Sequence, residues 1–242
     1  EDSLANPQFP NYLSDDEGFD YVLANFPFSA DWPKSDLKDD KWGRFDWADK
    51  LPRADRGDYA FIMHIAKLLN KQGRAAIVVP HGVLFRKHES KYREAMIKED
   101  LIEAIIEMPE NLFQNVSLPS AVLVLNRDKT PEREGEVQFI HAADERFYVE
   151  RSNHNDLTEE GRERVVSAYE GWITEDRMCR TVSVEEIAEN DYNLNTSLYV
   201  DTTEQEDEIQ VDEALEVFRG LQEERGVVES RMDQHMEALN YE

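Results

Sequence analysis

Four consecutive residues, Asn25-Phe26-Pro27-Phe28, carry groups suited to work on an amino group of a planar nucleobase. An amide oxygen and a carbonyl oxygen side by side can accept both hydrogens of an exocyclic amine, and an aromatic ring can stack on the base that bears it. The Asn25 amide and the Phe26 backbone carbonyl would be the acceptors, and Phe28 the stacking platform. Such chemistry needs a rigid loop. Pro27 fixes its own φ and pushes Phe26 into an extended shape, so the local sequence already restricts it. A strand-ending turn with a proline and two packed aromatics has the same composition, so these four residues alone do not decide between the two.

The elements that must position the quartet follow from hydrophobic patterning. Residues 19–24 read as a buried β-strand, which Pro27 cannot continue as a central ladder. The quartet then belongs at the carboxyl edge of a sheet, where open α/β folds keep their ligand sites. Phe61, Ile62, Ile65, Leu68 and Leu69 recur at helical spacing over 58–70, with Asp58 as N-cap and Gly73 suited to a left-handed C-cap. His64 reads as a packed or polar-face histidine of that helix. A buried strand at 74–80 delivers His81-Gly82 to the rim that holds Asn25. No second His, Cys or carboxylate stands at a metal-ligand spacing from His81, so it is expected to hydrogen-bond within its loop, and no metal is expected. A helix at 89–98 and strands at 101–108, 121–126 and 137–141 complete a parallel sheet closing with an antiparallel edge.

Between these elements runs a long polar loop, 29–57, in which Trp32, Trp42, Phe45 and Trp47 alternate with Lys34, Lys38, Lys41, Arg44, Arg53 and Arg56. The aromatics either line a nucleotide path or pin the loop to the domain. From Arg146 onward the chain turns polar and helical, with helices expected at 157–169 (capped by Asn155 or Asp156) and at 184–189. An acidic linker at 203–208 leads to a stripe of Val211, Leu215, Phe218, Leu221, Val228, Met232, Met236 and Leu239. That amphipathic helix, or helix pair, packs on the chain's own body or docks on a partner; a terminal stripe beyond a linker favours the partner.

Composition narrows the class. The 242 residues hold 53 acidic and 27 basic side chains, for a formal charge of −26. That is the reverse of the usual nucleic-acid-binding footprint. Either nucleic acid is not the substrate, or the protein works at high salt, where the screening length falls to about 3 Å at 1 M and carboxylates keep it in solution. Acidic residues are spread along the chain, which fits a salt-adapted cytoplasmic protein, as from a halophile. One cysteine, Cys179, rules out an internal disulfide and any cysteine-rich metal site. No apolar run reaches membrane-spanning length.

The quartet resembles the Asn-Pro-Pro-Phe motif of amino-methylating DNA methyltransferases, with Phe26 in place of the first proline. Around it, Asp58-Tyr59-Ala60-Phe61, Gly73-Arg74-Ala75-Ala76, Pro80-His81-Gly82-Val83-Leu84-Phe85, Asn111-Leu112-Phe113 and Asn190-Asp191-Tyr192-Asn193-Leu194-Asn195 resemble, in order, the modification subunit of type I restriction-modification systems. The resemblance runs from Asp2 to about Asp201. It implies an α/β fold, the later half of a Rossmann-like S-adenosylmethionine-dependent methyltransferase sheet with a C-terminal helical region. It implies methyl transfer from S-adenosylmethionine to N6 of an adenine flipped out of double-stranded DNA. Asn25 and the Phe26 carbonyl would bind the amine, Pro27 would shape the loop and Phe28 would stack on the base. Asp2, a turn or capping residue on the plainer reading, would hold the cofactor's adenine, and Asn25 would also face the cofactor. The partners implied are duplex DNA and the specificity and restriction subunits of the same system.

The resemblance also marks what departs. The family's glycine-rich cofactor loop should lie before Asp2, and no Gly-x-Gly occurs in the chain. The chain is therefore expected to be a later portion of a longer product: a partial catalytic domain at 1–145, a helical extension at 146–202, and an acidic linker with a docking helix at 203–242. A non-catalytic assembly module with the same sheet, or a methyltransferase for RNA or protein amides, would share these features. Restoring proline at position 26 is expected to be tolerated, because the acceptor there is backbone.

Overall fold

In the computed structural model, residues 2–13, 17–37, 39–112, 118–202 and 211–238 are described. Six strands form one sheet in the order β1-β2-β4-β3-β5-β8: β1 (Phe19–Asn25), β2 (Leu69–Pro80), β3 (Ile102–Glu107), β4 (Ser120–Asn126), β5 (Glu136–His141) and β8 (Cys179–Ser183). β1 runs parallel to β2 and β3 parallel to β5, while β4 lies antiparallel between β2 and β3 and β8 is antiparallel on β5. The antiparallel component thus enters the middle of the sheet as well as its edge, a correction to the expected order. Chain direction explains it: β4 follows β3 and pairs with it antiparallel, an arrangement that needs no helical crossover.

α1 (Asp58–Lys67) and α2 (Ser90–Lys98) bury Ile62, Met63, Ile65, Tyr92, Met96 and Ile97 in one core cluster with Ile77, Val79, Ile105, Leu123 and Phe139 of the sheet. α4 (Val184–Glu189), capped by the Ser183 hydroxyl, adds Ile187 to that layer. α3 (Glu159–Gly171) packs Ala168 into a smaller cluster with Ile140, Phe147, Met178 and Cys179. The sheet carries apolar side chains on both faces, as strands covered on two sides do.

Several sequence expectations move. β1 is an edge strand, with Tyr21 76% and Leu23 84% exposed beside a shallow apolar cavity of about 340 Å³ that Ala76, Val122 and Val124 also line. A continuous apolar run has no periodicity from which to tell a covered face from an open one. α1 ends at Lys67, and Gly73 lies inside β2 instead of capping the helix. The β1–β2 register shifts between Phe19 and Tyr21, and a Cβ on Gly73 would come within 2.7 Å of the Phe19 carbonyl oxygen. Close backbone approach, not a left-handed turn, is what glycine permits there.

Residues 155–157 form β7, paired with β6 (Tyr148–Glu150), and α3 is capped by Thr158, whose hydroxyl accepts the Gly161 amide at 2.9 Å; Asn155 and Asp156 are not its caps. Residues 146–202 are not merely a helical extension, since β8 completes the main sheet through β5. The chain separates instead into two compact units, Glu1–Thr202 and Thr203–Glu242. The second unit contains α5 (Val211–Ala238), one continuous helix of 28 residues, with Leu215, Phe218, Leu221, Val228, Met232 and Met236 exposed. Phe113, the 203–208 linker and Leu239 lie outside the described residues. Among the described residues no helix is long and apolar enough to cross a membrane.

Candidate active site

Because β1, β2, β3 and β5 point the same way, their carboxyl ends share one rim of the sheet. β1 ends at Asn25, β2 leads into His81, β3 ends at Glu107 and β5 at His141. Asn25 and Pro27 are exposed, Phe28 is half-buried and Phe26 is buried. The quartet therefore divides by side chain. Phe26 turns inward and stacks on Phe61 of α1, with ring centroids 5.0 Å apart and planes 8° from parallel. Phe28 meets the Phe26 ring edge-on at 6.0 Å. The Asn25 amide is left open at the strand end, where a ligand can reach it.

The loop's exit is tied down with unusual care. Ser29, directly after Phe28, has a left-handed backbone with φ of 51°. Its N–H donates to Asp58 Oδ1 at 2.6 Å, and the Gly57 N–H donates to the Ala30 carbonyl at 2.8 Å. Asp58 is fully buried as the first residue of α1, not its cap; Gly57 holds the cap position. The second Asp58 oxygen takes the Arg86 guanidinium at 2.8 Å. Arg86 in turn lies 3.5 Å from Glu89, whose carboxyl is pushed up to about 7, first by burial. Neither Asp58 nor Arg86 was singled out from the sequence for this role. The signal for Asp58 was present, an acidic residue at a helix start within a matched motif, but its partner 29 residues upstream was not visible.

The long loop is pinned to the domain by part of its aromatic set. Trp32 and Phe45 are buried in the main core, and the Trp32 indole N–H donates to the Arg53 carbonyl at 2.7 Å. Arg44 is fully buried, paired with Asp40 at 2.7 Å and 3.3 Å from His64 Nδ1. Burial, with Arg44 second, lowers His64 to about 4, so its ring is neutral near neutral pH and accepts from the arginine. Trp42 and Trp47 are half-buried, Trp47 packing against the core.

Further along the rim, the His81 N–H donates to the Pro119 carbonyl at 2.9 Å, while its side chain reaches out of the loop to Glu107, Nε2 lying 3.5 Å from Oε1. Glu107 also pairs with His141 Nδ1 at 2.8 Å. This contact crosses from β2 to β3 and corrects the expectation that His81 bonds within its own loop. Glu107 and His141 were missed because strand order, not sequence distance, brings them together. Among the described residues no group of three or more His, Cys, Asp or Glu is placed to hold a metal ion.

Asp2 caps a turn near the start of the chain. Its carboxylate accepts the Leu4 amide at 2.9 Å and the Ala5 amide at 3.2 Å, the turn role. A cavity of about 720 Å³ lined by Asp100, Lys129, Gly135 and Tyr192 opens where β3 and β5 begin, the edge opposite Asn25.

With this geometry in hand, the comparisons with known proteins are specific. The N-6 DNA methylase family pattern matches residues 1–208. The chain belongs to that family. It is similar to the methyltransferase subunit of a type I restriction-modification system from Streptococcus thermophilus: the two superpose with a TM-score of 0.73 at 37% identity, over 83% of this chain and 41% of that one. It is 34% identical over 229 residues to the type I restriction enzyme MjaVIII methylase subunit of Methanocaldococcus jannaschii, over 92% of this chain and 39% of that protein. It is 28% identical over 255 residues to the type I restriction enzyme HindI methylase subunit of Haemophilus influenzae, over 100% of this chain and 55% of that protein. The chain thus spans about two-fifths to just over half of the length of these relatives.

The cofactor of such enzymes, S-adenosylmethionine, fits the described residues in part. The open rim at Asn25 and Phe28 can face a methyl donor. The Asp2 carboxylate, expected to hold the adenosine end, is engaged by two backbone amides.

Proposed function

We propose that this chain is the later portion of the modification subunit of a type I restriction-modification system, and that the complete subunit methylates N6 of adenine in double-stranded DNA. The observation that carries the reading is the exposed Asn25 amide at a strand end, on a loop fixed by buried neighbours, in a chain of the N-6 DNA methylase family. S-adenosylmethionine, when bound, supplies an electrophilic methyl group. The chain's part is to orient the amine. The Asn25 amide oxygen and the Phe26 carbonyl accept its two hydrogens, which aims the nitrogen lone pair and stabilises the positive charge that grows on the amine. Phe28 holds the flipped base by stacking.

The partners we infer are duplex DNA and the specificity and restriction subunits. Support for a protein partner comes from α5, whose exposed apolar stripe lies on a helix that contains Gly220 and Gly226. Each glycine weakens a helix by about 1 kcal/mol relative to alanine, and a long isolated helix is marginal in water, so packing is needed to hold it. Residues 203–242 are accordingly read as a linker and docking helix. Radiolabelled S-adenosylmethionine, incubated with the complete subunit, its specificity partner and a mixture of duplex DNA and RNA, tests the reading. Label on adenine N6 is expected; label on protein or RNA alone would overturn it.

The charge of −26 also favours a salt-adapted cytoplasmic protein. Melts of this chain by circular dichroism are expected to shift upward from low to molar salt as carboxylate repulsion is screened. Superimposable melts would end the halophilic reading.

A further inference from the structure

The working shape of the Asn25–Phe28 loop depends on one conformation that its own sequence does not favour. Ser29 lies at φ of 51°, a left-handed backbone that a residue with a Cβ adopts only when its surroundings over-determine it. The surroundings are specific. The Ser29 N–H donates to Asp58 at 2.6 Å, and the Arg86 guanidinium donates to the other oxygen of Asp58, fully buried, at 2.8 Å. Arg86 lies against the turn after β2, where a Cβ on Gly82 would meet its guanidinium at 2.7 Å. Gly57, adjacent to Asp58, holds the Ala30 carbonyl at 2.8 Å. The chain leaving Phe28 is therefore clamped at two consecutive residues to the start of α1, and the clamp is braced from the rim of β2.

We propose that Asp58 and Arg86 are positioning residues of the amine-binding loop: the buried carboxylate holds Ser29 left-handed, and this fixes where Phe28 and the Phe26 carbonyl stand. The inference rests on the proposed methyltransferase reading of that loop. Neither side chain touches the base or the cofactor in this scheme. Asp58 acts through the Ser29 amide and Arg86 through Asp58. A buried carboxylate suits the task because a charged acceptor makes a shorter, stronger bond to an amide than a carbonyl does. Arg86 suits it because an unpaired buried carboxylate would be costly, and a planar guanidinium can hold one oxygen while leaving the other to Ser29. The plainer reading, an ion pair that only stabilises α1, leaves the left-handed serine unexplained.

The test uses the complete subunit assembled with its specificity partner, duplex DNA and S-adenosylmethionine. Asp58→Ala should lower kcat by about 10²-fold, the loss that a misplacement of about 1 Å can cause, with KM for DNA nearly unmoved. Adding Ser29→Gly to Asp58→Ala should recover about tenfold, because glycine keeps the left-handed turn without the strain that Asp58 had offset. An ion pair that merely stabilised the helix would give a loss following the unfolded fraction and no recovery from the glycine. Unchanged kcat in folded Asp58→Ala, or loss without glycine rescue, overturns the proposal. Should Asp58→Ala fail to fold, Arg86→Gln keeps a neutral donor beside Asp58 and carries the test; kcat should fall and Ser29→Gly should again restore it, and an unchanged rate overturns the proposal. Asn25→Ala, run in parallel, separates the two levels. If Asn25→Ala is fully active the reading of the loop fails, whereas an impaired Asn25→Ala beside a fully active Asp58→Ala removes only the positioning role.

Discussion

Asn25→Ala in the complete, assembled subunit is expected to slow methyl transfer to duplex DNA by about 10²–10³, or roughly 3–4 kcal/mol at the transition state. The structure sharpens why the loss should be confined to catalysis. Asn25 is the last residue of β1 and its side chain is exposed, so truncation removes no buried packing. The strand itself is held by its register with β2, in which Asn25 sits opposite Val78. The rate should fall with folding and assembly intact, because α5 belongs to a separate compact unit. A preorganised acceptor matters most where charge develops, so the effect should appear in kcat more than in retention of DNA. Methyl transfer measured at saturating cofactor and DNA gives kcat, and a gel-shift experiment gives DNA retention. Full activity in the variant would remove Asn25 from the amine site.

How much of this was legible beforehand depended on whether the signal was local. The strand ending at Asn25, the helices beginning near residues 58 and 90, and the short helix at 184–189 were readable because periodicity, proline and glycine act over a few residues. The insertion of β4 between β2 and β3 was not, since an apolar strand carries no mark of which neighbour it will choose. The exposure of Tyr21 and Leu23 was hidden for the same reason: hydrophobicity reports what could be covered, not what is. At the rim, the quartet could be proposed from sequence because its four residues are adjacent. The Glu107 contacts with His81 and His141, and the Ser29–Asp58–Arg86 chain, join residues far apart in sequence through sheet order and helix placement. The long loop shows a third case. Its aromatics and cations suited both a nucleotide path and an anchor, and the burial of Trp32, Arg44 and Phe45 shows that these three serve as the anchor.

The residue at which this chain departs from the family motif gives the other large effect. Phe26→Pro restores the commoner Asn-Pro-Pro-Phe sequence and keeps the carbonyl acceptor, which on sequence grounds makes it a mild change. The buried ring argues the opposite for stability. Phe26 stacks on Phe61 and shares a core cluster with Leu4, Trp32, Phe45 and Tyr59, so the phenyl group anchors the proposed amine-binding loop to α1. Truncating a buried phenylalanine to alanine typically costs about 3–5 kcal/mol, from lost transfer energy and the cavity left behind. Proline refills little of that volume, and its restriction of the unfolded chain returns only about 0.4–1 kcal/mol. A net loss of about 3 kcal/mol is expected for Phe26→Pro, against a total stability of about 5–15 kcal/mol for an ordinary domain. Phe28 would also lose the edge contact that Phe26 now makes with it. Denaturant unfolding of this chain should therefore show a lower midpoint for Phe26→Pro and for Phe26→Ala. Methyl transfer per folded molecule, assayed in the complete subunit at low temperature, should stay near the parent value for Phe26→Pro, because the amine's acceptors are unchanged. An unfolding midpoint equal to the parent's would mean the Phe26 ring is no anchor. A stable Phe26→Pro protein without activity would mean that the loop's shape depends on the phenylalanine at this position.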